Sequence, residues 1–148
     1  MIQLILAPTD GSSHAEKALT LAGDLAQMHD ARIVLLHAVP DIVNHGIPKD
    51  HQDLAQAENL QIGDVLHSIG EEILRRAEAL VRAQGAEKVE TTLPSGHPVQ
   101  AILHYASASR ADLIVMGSRG LSNLQGVTLG SVSHSVNHLA PCSCVTVR

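Results

Sequence analysis

Apolar residues along the chain follow two spacings, one typical of buried strands and one of amphipathic helices. Continuous apolar runs at residues 2–7, 32–39 and 112–117 have strand length, and the run at 32–39 is too uniformly apolar to have a wet face. Residues 88–93 alternate and are rich in Thr and Val, which predicts a partly exposed strand near an edge. Residues 142–148 predict a last strand.

Between these strands, apolar residues recur at helical spacing. The pattern predicts helices from Ser13 to about His29, from about Leu60 to Ala83, from Pro98 to about Ser109, and from Gly130 to Leu139. The order is β-α-β-α-β-α-β-α-β. Strict alternation predicts one α/β domain over residues 1–148, a doubly wound parallel sheet with helices on both faces.

Local signals mark some of the element ends. Ser13 and Glu16 have the spacing of a capping box, which would place the cap of the first helix at Ser13. Gly85 suits the turn that ends the second helix. Residues 40–59 contain Pro, Gly, His and acidic residues without a clear period, and we interpret them as a loop leading into that helix.

Composition narrows the class of protein. The chain has 148 residues, a net charge of −5, no Trp or Phe and one Tyr, so the core must be aliphatic. The negative charge gives no general attraction to nucleic acids or anionic membranes, and no apolar run has the length of a membrane span. We find no signal peptide at the N-terminus, and Cys142 and Cys144 are expected to be free thiols. Together these features predict a cytoplasmic protein.

Residues 113–133 are the stretch with the clearest chemistry. An apolar run ends at Gly117, a loop rich in Gly and Ser follows, and Gly130 and Ser131 begin a helix. Arg119 is the only formal charge between residues 113 and 147. A nearly uncharged loop before a helix N-terminus is typical of an anion site, in which backbone N–H groups supply most of the positive potential. Neither a P-loop motif nor a G-x-G-x-x-G dinucleotide motif is present.

The spacing Gly117-x2-Gly120-x9-Gly130-Ser131 resembles the nucleotide-binding branch of the universal stress protein family. The similarity extends to segments across the whole chain, namely ILAPTDGS (5–12), LLHAV (35–39), DLIVMGSRG (112–120), LGSVS (129–133) and APC (140–142). The resemblance implies a five-stranded parallel sheet of order 3-2-1-4-5. In that order the first and fourth strands are neighbours, so the loops at Asp10 and Gly117 would meet.

The resemblance also implies which residues contact a nucleotide. Asp10 and the backbone of Ala38 would hold the adenine edge, and Pro8 and Met116 would line the base and ribose region. The residues expected around the ribose and phosphates are Gly117, Arg119, Gly120, Gly130, Ser131, Val132 and Ser133. The expected ligand is ATP, or ADP or AMP. Because the loop has no lysine, we expect Mg²⁺ to bind through the phosphate oxygens.

We expect the protein to bind a nucleotide rather than to hydrolyse it efficiently, because the stretch after Asp112 has no carboxylate that could act as a general base. The leading hypothesis is a stress-response domain that recognises an unknown protein partner in a nucleotide-dependent way, with at most slow hydrolysis. One alternative is a slow ATPase in which Asp10 or a histidine activates water. Another is a nucleotide-free dimeric interaction protein.

The C-terminal segment departs from the family pattern. Family members commonly pair this strand across a homodimer, which implies a dimer through Cys142 to Arg148. The run that begins at Ser143 is more polar than the family's usual Pro and aliphatic residues, and His97 stands where the family often has an acidic or small residue.

Residues near the C-terminus suggest two further kinds of site, a metal site and a serine nucleophile. His134 and His138 lie four residues apart ahead of Cys142 and Cys144, but Pro141 and a change from helix to strand intervene, so we predict no metal ligands. Ser131 does not have the partners of a nucleophile.

Overall fold

The computed structural model describes residues 1–41, 52–121 and 129–148, and for residues 52–60 it describes the backbone alone. Over these residues five strands alternate with four helices. The elements in chain order are β1 (Leu4–Pro8), α1 (Ser13–His29), β2 (Arg32–Leu36), α2 (Gln52–Ala83), β3 (Val89–Thr92), α3 (Pro98–Ser109), β4 (Leu113–Gly117), α4 (Ser131–Leu139) and β5 (Ser143–Val147). The predicted alternation is confirmed.

All strands run parallel in the order β3-β2-β1-β4-β5, as the family resemblance implied. The central strand β1 pairs with β2 on one side and β4 on the other, so Ile5 lies opposite both Ile33 and Leu113. The connection from β1 goes outward through β2 and β3 and then crosses back to β4. The carboxyl ends of β1 and β4 therefore lie side by side where the order reverses.

The sheet is covered on both faces because side chains alternate along each strand. One core cluster joins Ile5 and Ile33 to α1 and to the later part of α2. The other joins Leu6 and Val34 to α3 and α4. All five residues of β1 are buried, and so are the last four of β2, as expected of strands without a wet face. The edge strand β3 is more exposed, as its alternating sequence predicted.

The predicted cap of α1 and the predicted end of β2 are wrong. The cap of α1 is Ser12 and not Ser13, because Ser12 keeps an extended backbone while Ser13 is already helical. The Ser12 hydroxyl accepts the Ala15 N–H at 3.3 Å. The second strand ends at Leu36, and beyond it Val39 makes only an isolated bridge to Ser95.

The start of α2 is also wrong, since it begins at Gln52 rather than near Leu60. Residues 53–58 are Asp, Leu, Ala, Gln, Ala and Glu, mostly strong helix formers that extend the helix where no apolar stripe signals it. Residues 42–51 of the predicted loop lie outside the described residues. After α2, Gly85 has φ of +94°, which fits its predicted role in ending the helix.

In the part of the chain that the structure describes, no helix combines the length and the apolar character needed to cross a membrane.

Replacing Arg110, the residue that caps α3, with glycine should stabilise the protein. It adopts φ 55° and ψ 50°, in the left-handed region that is unfavourable for residues with a Cβ. Its side chain forms no ion pair or hydrogen bond with another described residue. We expect Arg110→Gly to raise the free energy of unfolding by about 0.5–1 kcal/mol in urea titrations. A lowered urea midpoint would contradict this.

Because of Asp112, the folding stability of the protein should depend on pH in the acidic range. Its Oδ2 accepts the N–H groups of Gln3 and Leu4 at 2.8 and 2.9 Å, and these bonds hold the pKa of the carboxyl below its usual value. This stabilisation is present above the unfolded pKa of roughly 3.9 and is lost as pH falls through the folded pKa. The urea midpoints of wild type and Asp112→Asn should therefore converge between pH 6 and pH 3. A constant difference across that range would refute the assignment.

Candidate functional site

A cavity of about 420 Å³ opens at the carboxyl edge of the sheet, beside the ends of β1 and β4. This is the position where open α/β sheets usually bind ligands. The sequence-predicted site residues that line it are Pro8, Asp10, Ala38, Met116, Gly117, Arg119, Gly120, Gly130, Ser131, Val132 and Ser133. The fold thus brings all eleven predicted residues to one cavity.

The loops after β1 and β4 approach each other most closely at Asp10 and Gly120. A Cβ added to Gly120 would lie 2.6 Å from Asp10 Oδ2, so only glycine fits without moving the carboxylate. The other oxygen, Oδ1, accepts the Ser12 N–H at 2.9 Å, which fixes the side chain in the turn that leads to α1. Asp10 is therefore held between the start of α1 and the backbone of the loop.

Gly117 allows the first turn of α1 to rest on the end of β4. A Cβ at this position would lie 2.8 Å from both the Ala15 nitrogen and the His14 carbonyl carbon. Both atoms belong to backbone, which cannot move aside as a side chain can. Gly117 thus has a packing requirement in addition to its predicted place near the ligand.

Ser118 connects four parts of the structure although it was not predicted as a site residue. Its N–H donates to Val147 O at 2.7 Å, and its carbonyl oxygen accepts from the Gly130 N–H at 2.6 Å and from the Ser133 hydroxyl at 2.7 Å. Its own hydroxyl lies 3.0 Å from His14 Nδ1. With only 1% of its surface exposed, Ser118 lies behind the cavity wall and holds the wall in place.

The two serines of α4 have different surroundings. Ser133 is 3% exposed, and its hydroxyl is engaged with the carbonyl oxygens of Ser118 and Gly130. Its role in the structure is to fix the loop. Ser131 is exposed at the first position of the helix, where Gly130 offers no capping side chain. The first N–H groups of α4 are therefore available as donors for an anion.

Charge is sparse in this cavity. Among the described lining residues, Arg119 is the one full cation and Asp10 the one carboxylate. Arg119 is partly buried and forms no ion pair with another described residue. The cavity thus presents a cation and a helix N-terminus on the side of the β4 loop, and the Asp10 carboxylate approaches the same loop at Gly120.

The wall formed by the end of β2 was predicted only in part. His37 lines the cavity beside Ala38, and its Nδ1 lies 2.8 Å from Thr9 O. The N–H and C=O of Ala38 form no hydrogen bond with another described residue, so both remain available to a ligand. Pro98 and Ile102 of α3 add apolar surface that sequence reasoning missed. The apolar spacing at the start of α3 could have indicated these two residues, because the first turn of α3 faces the carboxyl edge of the sheet.

The cysteines and histidines near the C-terminus stay apart from this cavity. Within residues 1–41, 52–121 and 129–148, no group of three or more His, Cys, Asp or Glu side chains is placed to hold a metal ion. Burial raises the pKa of Cys142, and it raises the pKa of Cys144 to about 11. Both are therefore neutral thiols near pH 7, with little of the thiolate needed for metal binding or nucleophilic attack.

Comparison with known proteins agrees with this geometry. The family model described as the universal stress protein family matches residues 1–148. The chain belongs to the universal stress protein family. This universal stress protein is 36% identical over 153 residues to one from Thermus aquaticus, with 100% of each chain covered.

Solved structures show the same fold. The universal stress protein UspA from Lactobacillus plantarum has a TM-score of 0.85 at 28% identity, covering 99% of this chain and 98% of its own. A universal stress protein crystallised in complex with cAMP has a TM-score of 0.73, also at 28% identity, with 99% and 97% covered.

Gly117→Ala should destabilise the protein through overpacking. Because the added methyl would press on backbone atoms of α1, we expect the free energy of unfolding to fall by about 1–3 kcal/mol. Gly63→Ala is a matched control, since nothing lies within 4 Å of a Cβ there. That substitution lies within α2 and should add about 0.5–1 kcal/mol. Equal midpoints for the two variants in urea titrations would count against the packing described for Gly117.

Proposed function

We propose that this universal stress protein binds an adenine nucleotide, with ATP as the leading candidate, in the cavity between β1 and β4. It acts, on this proposal, as a single domain that recognises a protein partner according to its bound nucleotide. The observation that carries the proposal is the convergence of the eleven predicted residues on one cavity. These residues and the meeting of their loops were expected from the resemblance to the universal stress protein family.

The chemistry of the two walls supports a fixed orientation for the nucleotide. Pro8, Met116 and Ile102 offer apolar surface for the base, and the unbonded N–H and C=O of Ala38 can pair with the adenine edge. The carboxylate of Asp10 can accept from a ribose hydroxyl or an amine, whereas it would repel phosphate. The base and ribose therefore belong near β1 and β2.

The phosphates belong at the opposite wall. Arg119 and the open N-terminus of α4 supply positive potential there, and Gly130 permits close approach of the backbone. One arginine does not balance a triphosphate. Mg²⁺ bound through the phosphate oxygens would supply the remaining charge, with no direct protein ligand required.

The same arrangement leads us to expect that any hydrolysis of the nucleotide is slow. Asp10 is the one carboxylate among the described lining residues, and its Oδ1 is engaged with the Ser12 N–H. A general base has to reach the attacking water, and the phosphate wall described here has none. Binding is thus favoured over turnover, and a slow ATPase remains the alternative.

Two further parts of the proposal concern assembly and ligand choice. Among the described strands, β5 lies at the edge of the sheet and pairs with β4 alone, which leaves an edge that a second copy can use to form a dimer. Neutral thiols at Cys142 and Cys144 fit a reducing cytoplasm. The relative crystallised with cAMP makes cyclic AMP a ligand to test beside ATP, ADP and AMP.

Isothermal titration with ATP, ADP, AMP and cAMP, each with Mg²⁺, tests the proposal. Wild type should bind at least one of them, and Arg119→Ala should weaken ATP about 10- to 100-fold because a charge-assisted contact is lost. Arg110→Ala is the matched control, since Arg110 follows α3 at the opposite edge of the sheet, and it should leave affinity unchanged. No heat with any nucleotide at tens of micromolar protein would refute the proposal and favour a nucleotide-free dimeric interaction protein.

A further inference from the structure

Helix α2 is longer than the sheet it packs on. Its 32 residues extend about 48 Å, whereas a strand of five residues extends about 17 Å. The buried residues of its described side chains are Gly70, Leu74, Ala77 and Val81, and no residue from 61 to 69 is buried. The later half of α2 therefore forms the core with α1, and the earlier half projects away from it.

The projecting half carries apolar side chains on one face. Ile62, Val65 and Ile69 are 50%, 58% and 50% exposed, and their spacing of three and four residues puts them in one row. Large exposed apolar residues are ordinary when they are scattered singly, as Met28 is on α1. A row of three on one helix face is typical of a surface that contacts another protein.

This row leads into a groove between α1 and α2, with a volume of about 620 Å³. We call it the α1–α2 groove. Its lining residues are Thr9, Asp10, Gly11, Glu16, Leu19, Asp64, Val65, Ser68, Ile69, Glu72, Ile73, Arg76, Ala77 and Leu80. From Asp64 to Leu80 it follows α2 for about 24 Å, the length of about four helical turns. Its length along α2 suits a helical segment of about four turns.

The charges around the groove indicate the sign of the partner. Glu16 on α1 and Asp64 on α2 line it and form no ion pair with another described residue. Glu72 accepts from Arg75 and Arg76, which hold its pKa at about 2, and these three residues together carry a net charge of +1. Among the lining residues themselves, the four carboxylates of Asp10, Glu16, Asp64 and Glu72 are accompanied by one cation, Arg76. What remains at the groove is acidic.

The negative charge of the groove distinguishes between the molecules that could bind there. A second copy of the chain, with its net charge of −5, would bring further negative charge to an acidic surface. An anionic membrane would be repelled for the same reason. A cationic segment is attracted, and the apolar row requires that the segment also have an apolar face.

We propose that the α1–α2 groove docks an amphipathic helical segment of a partner protein, about four turns long, with an apolar face flanked by Lys and Arg. Binding would be of the helix-in-groove type. Thr9 and Asp10 line both this groove and the nucleotide cavity, so the two sites share a wall. The docking surface goes beyond the proposed nucleotide function and does not require it.

The docking proposal is tested with a fluorescein-labelled peptide of 17 residues. As a helix, this peptide has Leu and Ala on one face and Lys residues along the sides of that face. In fluorescence anisotropy at low salt without nucleotide, wild type should bind the peptide, and Ile69→Asp should bind at least tenfold more weakly. Met28→Asp is the control, because it places the same charge on an exposed apolar site of α1 outside the groove. Its affinity should stay within twofold of wild type. Circular dichroism and melting temperature should show both variants folded.

Peptide and assembly controls separate the alternatives. A peptide with Glu in place of Lys should not bind, and a scrambled peptide of the same composition should bind at least tenfold more weakly. Equal binding of the scrambled peptide, or equal affinities of Ile69→Asp and Met28→Asp, would overturn the proposal. So would sedimentation showing that Ile69→Asp alone dissociates an oligomer, since the groove would then join copies of this chain. Arg119→Ala should keep full peptide affinity, so failure of nucleotide binding is told apart from failure of docking.

Discussion

The loop after β4 keeps its shape because the carbonyl oxygen of Ser118 accepts hydrogen bonds from both Gly130 and Ser133. Polar groups buried this deeply must be paired, and each unpaired one would cost about 1–3 kcal/mol. The two bonds bring the start of α4 back to the end of β4. The N–H groups at the start of α4 and Arg119 then face the same cavity. Without this carbonyl, the positive potential of the site would have no fixed position.

Glycine completes the arrangement from the other side. At Gly117 the backbone of α1 approaches β4, and at Gly120 the Asp10 carboxylate approaches the loop, each too closely for a Cβ. The two close approaches join loops that are more than a hundred residues apart in sequence. The site is thus preorganised by packing and hydrogen bonds, which lowers the ordering cost of binding.

Much of the fold could be predicted from residue patterns, because continuous apolar runs and helical spacing report directly on burial. The sheet order needed the family resemblance, since periodicity does not say which strands are neighbours. The cap at Ser12 was missed because Ser12 and Ser13 are chemically alike, and only the backbone conformation of the turn decides between them. The early start of α2 was missed because its first residues favour helix without forming an apolar stripe.

The residues that line the cavity were predictable from the sequence, whereas the residues behind them were less so. Gly117 and Gly120 belong to a recognisable spacing, whereas Ser118 between them acts largely through its main chain, which any residue type has. The pairing of His14 with Ser118 joins positions far apart in sequence, and no local pattern indicates it. Long-range hydrogen bonds of this kind become visible only when the fold is known.

The bond from the Ser118 N–H to the carbonyl of Val147 has a consequence for how the protein is made. The central strand β1 leaves the ribosome first and the edge strand β5 last of the nine elements. Until β5 has joined the sheet, the loop after β4 lacks one of its supports, although the residues that line the cavity have already been synthesised. A nascent or truncated chain without β5 would therefore contain every cavity-lining residue and still lack the bond that ties this loop to the edge of the sheet.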